Sequence, residues 1–325
     1  MRGTVISSTG SYLPDTIVRN QDLTQFPANA VARIVEKTGV SARRHAAESQ
    51  CTSDLALESA RKCLTKIDFP PRRVEAIIVS TSSPDRMQPA TATRVQNLLG
   101  ADSAFAFDIN SVCSGSVFGI SLADSFVKSR MCDNVLFIAA EVYSRILNPK
   151  DFSTYPFFGD GAGAMFFRAD DASDGVLHSC LRSDGRGSEV IRVPGGGTML
   201  SFDKLVDNRS AYFQMDGKAV FEFAVAKGTE IVVELMERSG VTADEVGCFI
   251  CHQANLNIIE AIAEGLGVAS DRFFVNLDRY GNTASASVPI ALDEAISGGV
   301  LTTGDLAVTV AFGGGLSWGA NLLRI

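Results

Sequence analysis

The sequence has little that would hold a metal ion or cross a membrane. Its 325 residues include three histidines and one tryptophan. A zinc site needs about four ligands, and no second Cys/His pair accompanies Cys251 and His252, so we expect no metal site. No window approaches the ~18 uninterrupted apolar residues of a membrane-spanning helix, which argues against a membrane protein.

An export signal and an excess of basic residues are also missing. Residues 1–7 contain no apolar segment, so we expect a cytoplasmic protein without a secretory signal. Lys and Arg number 29 against 37 Asp and Glu, so we do not expect nucleic acid as the main partner. The net charge of −8 and the hydrophobic content of 46% exclude a disordered chain. At ~150 residues per domain, the length suggests about two domains or one large fused unit.

Seven cysteines are scattered through the chain, at positions 51, 63, 113, 132, 180, 248 and 251. An odd, scattered set predicts free thiols in a reducing compartment. Residues 248–252 match the C-x-x-C-H pattern of c-type haem attachment. The same segment is typical of a short buried strand, and haem is attached outside the cytosol, so the haem site is the disfavoured alternative.

Strands and helices alternate along the chain, which predicts an α/β fold with mostly parallel sheets. In the first half the pattern predicts helices at 53–67, 89–99 and 114–130 and strands at 74–80, 104–109, 135–141 and 162–167. The second half repeats this order, with helices at 218–238, 255–266 and 284–296 and strands at 246–251, 273–276, 306–311 and 318–323. The offset is about 170 residues and concerns architecture, not residue identity. We therefore predict two similar halves, residues 1–172 and 173–325, fused as one unit.

Four predicted strand ends carry residues suited to chemistry, and ligands bind beyond such ends. Cys113 opens a helix, whose dipole should lower the thiol pKa below the free value of ~8.5 and make a nucleophile; a buried small residue is the alternative. His252 and Asn282 follow two other strands, and a cysteine with distant His and Asn is a recognised nucleophile arrangement. A structural histidine and a turn or N-cap asparagine are the alternatives. Residues 313–315 are three glycines whose N–H groups would suit an oxyanion, or which form a flexible hairpin.

Six stretches spread over almost the whole chain carry a resemblance to a known family: residues 10–14, 108–115, 158–163, 252–256, 280–289 and 312–319. Together they resemble β-ketoacyl-acyl-carrier-protein synthase III, the thiolase-superfamily condensing enzyme that starts fatty-acid chains. The resemblance implies the thiolase fold, in which two pseudo-symmetric βαβαβαββ-type halves form a five-layered αβαβα sandwich. It also implies a homodimer that uses acyl-CoA and a malonyl thioester as substrates and needs no cofactor.

The resemblance assigns catalysis to Cys113, His252 and Asn282. The Cys113 thiolate would take an acyl group from acyl-CoA while the backbone N–H groups of Cys113 and Gly314 hold the oxyanion. His252 and Asn282 would then donate hydrogen bonds to the carbonyl of a malonyl thioester as CO2 leaves and the enolate attacks the acyl group. Phe312 would border the departing carboxylate as an apolar wall.

The chain departs from the family around the substrate path. The family's Trp and Arg that sandwich the CoA adenine fall on Arg33 and Phe152, so an aromatic and a guanidinium are kept with their places exchanged. Lys37 and Asn255 are expected beside the same path. Gln88 stands where an aromatic gate to the acyl pocket is usual, which does not suit a purely hydrocarbon starter.

Basic residues that dock the acyl carrier protein are missing: Asn257, Glu264 and Gly265 stand at their positions. Because carrier proteins are acidic, this interaction should weaken. A substitute patch from Lys37, Arg43 or Arg44 would restore it.

Three functional hypotheses remain open. The first is a ketosynthase III of ordinary fatty-acid initiation. The second is a related acyltransferase of specialised metabolism with an unusual starter or a non-malonyl acceptor. The third, from another class, is a non-catalytic subunit or a haem binder. The complete Cys–His–Asn set disfavours the non-catalytic subunit, and a visible-absorbance scan of the pure protein tests for haem.

Overall fold

The structure is a computed structural model that describes residues 2–171, 175–205 and 207–325. Its strands are β1 (Gly3–Tyr12), β2 (Thr16–Arg19), β3 (Ala42–His45), β4 (Ala76–Ser80), β5 (Phe105–Ile109), β6 (Asn134–Glu141), β7 (Gly161–Asp170), β8 (Val176–Ser183), β9 (Ile191–Arg192), β10 (Gln214–Met215), β11 (Cys248–Cys251), β12 (Leu306–Gly313) and β13 (Ser317–Arg324). The α-helices are α1 (Ala28–Val31), α2 (Ile34–Thr38), α3 (Thr52–Thr65), α4 (Thr91–Leu99), α5 (Gly115–Lys128), α6 (Gly217–Ser239), α7 (Leu256–Leu266), α8 (Leu277–Tyr280) and α9 (Ser287–Ser297). Within these described ranges, no helix combines the length and the apolar character needed to cross a membrane.

Two sheets form the frame of the molecule. The first has the strand order β1-β7-β6-β4-β5, and the second has the order β11-β12-β13-β8. In the first sheet β4 runs parallel to β5 and β6, while β7 is antiparallel to β6 and β1. In the second sheet β11 and β12 are parallel, and β13 is antiparallel to both β12 and β8. The expectation of mostly parallel sheets was therefore wrong, because each half ends in a strand that turns back against its predecessor.

The two halves repeat one succession of elements. The first runs β1-α3-β4-α4-β5-α5-β6-β7, and the second runs β8-α6-β11-α7-α9-β12-β13. At the place of β5 the second half has a single parallel bridge between Phe273 and Phe249. The strand expected at 273–276 is thus reduced to one bridging residue. The boundary expected between residues 172 and 173 lies outside the described residues.

The elements stack in five layers. Helices α3 and α4 cover the outer face of the first sheet. Helix α6 covers the outer face of the second, and α7 packs against α6 and shares a buried apolar cluster with β11. Helices α5 and α9 lie between the sheets and contact both, with α5 against β6 and β13 and α9 against β7 and β12. A buried apolar cluster that includes Phe137, Met165 and Ile250 fills this central layer. The αβαβα sandwich implied by the resemblance is confirmed.

The helix boundaries that matter for the site follow from local chemistry. Helix α7 begins after Asn255, whose side-chain Oδ1 accepts a hydrogen bond from the N–H of Asn257 at 2.9 Å, and it ends before Gly267, which has a positive φ of 67°. The helix expected at 284–296 begins instead with a 3₁₀ turn over Ala284–Ala286, and regular α-helix starts at Ser287. Ala284 has φ +47°, a left-handed conformation that interrupts a right-handed helix.

Candidate active site

Cys113 lies in a single 3₁₀ turn, Val112–Ser114, between β5 and the first residue of α5. Val112 has φ +47°, which is strained for a β-branched residue and is the kind of conformation that functional sites retain. The turn is held from the opposite half of the molecule, because the hydroxyls of Ser114 and Ser317 lie 2.7 Å apart. The strained turn thus presents the thiol at the junction of the two halves.

The pKa of Cys113 is shifted upward, whereas the sequence predicts a downward shift. Burial of the thiol raises its pKa well above the usual value, and the nearby carboxyl of Glu141 raises it further. Glu141 is itself fully buried at the end of β6, where it accepts hydrogen bonds from Ser83 Oγ at 2.6 Å and Ser285 Oγ at 2.7 Å. The expected lowering of the pKa was wrong, because the desolvation of a buried thiolate outweighs the effect of the helix N-terminus.

His252 follows the last residue of β11, and its backbone N–H donates to Val310 O on β12 at 2.8 Å. Its ring Nδ1 lies 2.6 Å from Ser287 Oγ, and the ring packs edge-on against Phe312 with 5.5 Å between centroids. Burial lowers the pKa of His252 to about 3. The imidazole is therefore neutral at pH 7 and carries one N–H.

Asn282 lies on the turn between α8 and α9, where a hydrogen bond to its side-chain oxygen fixes the orientation of the carboxamide. Its Oδ1 accepts a hydrogen bond from the backbone N–H of Ala284 at 2.8 Å. Its own backbone N–H donates to Phe157 O at 2.8 Å, and its carbonyl accepts from Gly159 N–H at 3.0 Å. With Oδ1 occupied in this way, the Nδ2 amide is left as the donor of the carboxamide.

One cavity of about 210 Å³ joins Cys113, His252 and Asn282. Phe312 and Gly313 complete this part of its wall. Gly313 is required here, because a Cβ at this position would stand 2.8 Å from the backbone N of Cys113. Gly314 follows it, where a Cβ would be 3.2 Å from the side chain of Val112. The oxyanion role of Gly314 stays a prediction, as do the catalytic roles of the three polar residues.

An aromatic cluster closes the space around Cys113. Tyr143 and Phe158 stack at 5.1 Å, and Phe213 packs edge-on against them at 5.5 and 5.2 Å. All three are buried in the same cluster as Cys113. The Tyr143 hydroxyl is the polar group of this aromatic cluster, and it is hydrogen-bonded to Ser82 Oγ at 2.9 Å. The surroundings of an acyl group on Cys113 are therefore mostly apolar.

Arg33, Lys37 and Phe152 meet in a second cavity of about 130 Å³, which shares Phe157 with the first. Arg33 lies just before α2 and Lys37 lies on α2, and both are exposed. Phe152 packs edge-on against Phe26 with 5.2 Å between ring centroids. The structure therefore brings the two members of the expected adenine clamp to one place beside the cavity. Contact with adenine remains a prediction.

The carrier-docking positions are not basic. Asn255 lines the cavity, and Asn257 donates through Nδ2 to Lys37 O at 2.8 Å, which ties α7 to α2. Glu264 is exposed on α7. The expectation that Arg43 contributes to a substitute basic patch was wrong. Arg43 is fully buried and donates to Val18 O at 3.1 Å and to Asn20 Oδ1 at 2.6 Å.

Three further expectations concern residues away from the cavity. Arg44 is half-buried and donates to Pro14 O at 3.0 Å, so it is partly committed. Gln88 is exposed in the loop before α4 and does not line the cavity of its own chain. Cys248 and Cys251 are both buried in β11, in different apolar clusters, which leaves neither thiol accessible for haem attachment.

Several lining residues of the cavity were not predicted from the sequence, and those on α6 are the clearest case. Gly217, Val220 and Phe221 line it from the start of α6. Their spacing of three and four residues marks one face of a helix, and the helix was predicted, but nothing in the sequence tells which face meets a cavity. Ser287, the partner of His252, lay within a recognised stretch and was given no role.

Comparisons with known proteins agree with one another. A family model for 3-oxoacyl-[acyl-carrier-protein] synthase III matches residues 107–185, and a model for the C-terminal part of the same family matches residues 236–325. The β-ketoacyl-[acyl-carrier-protein] synthase III of Caldanaerobacter subterraneus subsp. tengcongensis is 42% identical over 321 residues, covering 98% of this chain and 97% of that protein.

Solved structures give the same result. The crystal structure of 3-oxoacyl-[acyl-carrier-protein] synthase III from Aquifex aeolicus aligns with a TM-score of 0.91 and 38% identity, over 99% of this chain and 100% of that one. The priming β-ketosynthase of a polyketide biosynthetic pathway aligns with a TM-score of 0.91 and 30% identity, over 100% of this chain and 96% of that one. The chain therefore belongs to the β-ketoacyl-[acyl-carrier-protein] synthase III family, whose thiolase-type fold it shares over its full length.

Proposed function

We propose that this protein is an acyltransferase that condenses an acyl thioester with a malonyl thioester, with loss of CO2, through an acyl-Cys113 intermediate. The supporting observation is that Cys113, His252 and Asn282 line one largely apolar cavity, with the Asn282 carboxamide held in a single orientation. A buried nucleophile and two neutral polar groups suit a reaction whose charge appears on a carbonyl oxygen and then disappears. Initiation of fatty-acid chains is the corresponding pathway step.

The first half-reaction moves the acyl group to Cys113. The sulfur attacks the thioester carbonyl of acyl-CoA, and the tetrahedral oxyanion is held by the backbone N–H groups of Cys113 and Gly314. The carbon–sulfur bond to CoA then breaks, and the cysteine proton leaves with CoA as its thiol. Because burial raises the pKa of Cys113, this proton is still present when the acyl donor arrives.

The second half-reaction forms the carbon–carbon bond. The bond between the malonyl carboxylate and the methylene carbon breaks, CO2 leaves, and the electron pair forms an enolate on the thioester. Asn282 and His252 donate hydrogen bonds to the enolate oxygen, and its carbon attacks the acyl group on Cys113. Collapse of that adduct breaks the acyl–sulfur bond and releases Cys113 as a thiolate, which takes up a proton from solvent and becomes the thiol again. Phe312, packed against the His252 ring, supplies the apolar side of this space.

The acyl donor is CoA-linked in this proposal. Arg33 and Phe152 border one small cavity beside the active site, and a guanidinium and a phenyl ring both stack on an adenine. Lys37 stands at the same cavity and is suited to a phosphate group. The acyl carrier protein is the second partner, with weak docking, because Asn257 is turned onto α2 and Glu264 is acidic.

A homodimer is part of the proposal. β5 is the outermost strand of its sheet, and Phe105 on it is 42% exposed beside Phe107 and Phe126. An exposed edge strand with apolar side chains is a surface that pairs with another strand. Gln88 precedes α4, whose first N–H groups donate to Asp108 of β5, so in this proposal Gln88 faces the cavity of the second subunit across such an interface. The seven free cysteines fit a reducing cytoplasm.

A second candidate is a ketosynthase of specialised metabolism with an unusual starter. The polar Gln88 at the gate position and the structural likeness to a polyketide priming ketosynthase favour it. The two candidates share their chemistry and differ in the acyl group that Cys113 accepts.

The test is intact-mass spectrometry of the protein after incubation with a panel of acyl-CoA and acyl-carrier thioesters. One acyl group should be added, and the Cys113→Ala variant should gain none. Cys248→Ala, which removes another buried thiol, is the matched control and should still be acylated. Acylation of Cys113→Ala would disprove the nucleophile, and acylation without CO2 release from malonyl thioester would disprove condensation.

A further inference from the structure

Ser287 contacts the candidate catalytic imidazole from outside the cavity. It is the first residue of α9, it is buried, and its Oγ lies 2.6 Å from Nδ1 of His252. It is not among the residues that line the cavity, so a substrate would meet His252 and not Ser287. Ser287 would therefore act on the reaction through the imidazole that it contacts.

The hydrogen-bond inventory around Ser287 decides the direction of this contact. The backbone N–H of Gln253 donates to Ser287 Oγ over 3.4 Å. Over residues 2–171, 175–205 and 207–325, the acceptor within reach of the hydroxyl hydrogen is Nδ1 of His252. If Nδ1 carried the ring hydrogen, both neighbours would donate to Oγ and the hydroxyl hydrogen would be buried without an acceptor. Folded proteins rarely leave a buried donor in that state.

We propose that Ser287 is a positioning residue, which donates its hydroxyl hydrogen to Nδ1 and so keeps the hydrogen of His252 on Nε2. The neutral imidazole has a single N–H to place, because burial lowers the pKa of His252 to about 3. Ser287 thus selects the tautomer, and it also fixes the plane of the ring.

This inference rests on the proposed function, in which His252 donates to the enolate oxygen. Nε2–H provides that donor, whereas the other tautomer would turn a lone pair toward the enolate oxygen and oppose the charge that forms there. Asn282 is oriented in the same manner, by the N–H of Ala284. The single segment 282–287 therefore sets the direction of both donors.

The tautomer is measured directly by nitrogen NMR of protein labelled with 15N-histidine. The chain has three histidines, His45, His178 and His252, so a His252→Gln sample assigns the signals. In the wild type we expect the hydrogen of His252 on Nε2, with no titration between pH 5 and 9. A wild-type signal with the hydrogen on Nδ1 would overturn the inference, whether or not the enzyme is active.

Activity is measured in the two half-reactions separately. Ser287→Ala should lower kcat for CO2 release about tenfold, less than the roughly 10²–10³-fold effect of losing a donor entirely, because the ring can still adopt the productive tautomer part of the time. Acylation of Cys113 should stay within about twofold, and the KM for the malonyl thioester should change little. Ser287→Thr keeps the hydroxyl and should restore CO2 release to within about threefold of the wild type.

Ser285→Ala is the matched control, because Ser285 is a buried serine in the same segment whose hydroxyl bonds to Glu141 and not to His252. It should leave the His252 signals unchanged. Wild-type CO2 release in folded Ser287→Ala, as judged by thermal unfolding, would overturn the positioning role while the proposed condensation stands. Absence of Cys113 acylation in the wild type would instead count against the proposed function, and the tautomer measurement would still decide the role of Ser287.

Discussion

Replacing Asn282 separates the chemistry of its amide from its part in the fold. The side chain is 6% exposed and has two functions: Oδ1 accepts from the N–H of Ala284 at 2.8 Å, and Nδ2 is left for the cavity. Asn282→Ala removes both functions. Asn282→Asp keeps an acceptor for Ala284 and replaces the donor by an oxygen.

The expected magnitudes differ between the two variants. Loss of one donor to a developing oxyanion costs roughly 10²–10³ in kcat, or about 2.7–4 kcal/mol, and both variants should show this in CO2 release at pH 8. Asn282→Ala should also lose about 1–3 kcal/mol of unfolding free energy, because the N–H of Ala284 is left unsatisfied in a buried turn. Asn282→Asp keeps that hydrogen bond and should be the more stable of the two near pH 6.

The pH dependence of Asn282→Asp has a definite sign. Burial in an apolar cavity raises the pKa of a carboxyl group, so the new side chain is ionised at high pH and protonated at lower pH. The ionised form has no donor and repels the enolate, whereas the protonated form carries an O–H. We therefore expect part of the lost CO2 release to return as the pH falls from 8 to 6.

The assay uses a malonyl thioester with a labelled carboxylate and follows CO2 release, while intact-mass spectrometry follows acylation of Cys113. Acylation should change less than about threefold in either variant, since Asn282 is assigned to the malonyl half-reaction. If Asn282→Asp released CO2 at pH 8 within about threefold of the wild-type rate, the donor role of Asn282 would be refuted.

Three further predictions concern other parts of the structure. The rate of alkylation of Cys113 by iodoacetamide, followed by mass spectrometry, should keep rising up to pH 9, because burial holds the thiol pKa above the ~8.5 of a free cysteine. A rate that stops rising below pH 8 would contradict this. Arg33→Ala and Phe152→Ala should each raise the KM for acyl-CoA several-fold, through loss of about 1–2 kcal/mol of stacking, and leave short pantetheine thioesters unaffected; equal effects on both donors would exclude adenine contact. Gly119→Ala should destabilise the protein by about 1–3 kcal/mol in denaturant unfolding, because the new Cβ would stand 2.0 Å from the ring of Phe137; unchanged stability would show that the ring moves aside.

Much of the architecture was readable from local patterns. The helix expected at 53–67 is α3 at Thr52–Thr65, and the buried run expected at 74–80 contains β4 at Ala76–Ser80. Such segments follow hydrophobic periodicity and stop residues, which act over a few positions. The strand predicted at 273–276 was wrong for a non-local reason. A strand needs a hydrogen-bonded neighbour along its length, and within this segment Phe273 alone forms a bridge, to Phe249.

Charge states could not be read in the same way. Cys113 looked activated because its position at the start of a helix is a local property, but the pKa of the thiol depends on burial by residues from both halves of the chain. Arg43 looked like a surface cation for the same reason, and it is enclosed by β2 and the segment before Phe157. Burial sums contributions from distant residues, so no sequence window contains it.

By itself, the sequence determined the succession of most strands and helices, the repeat of two halves, and the motifs that carry Cys113, His252 and Asn282. Those features depend on side-chain periodicity and on motifs a few residues long. Only the tertiary structure decided that the three residues face one cavity, that His252 is neutral, and that Ser287 holds its ring. Ser287 is 35 residues from His252, and their contact forms only when α9 packs behind β11 in the central layer.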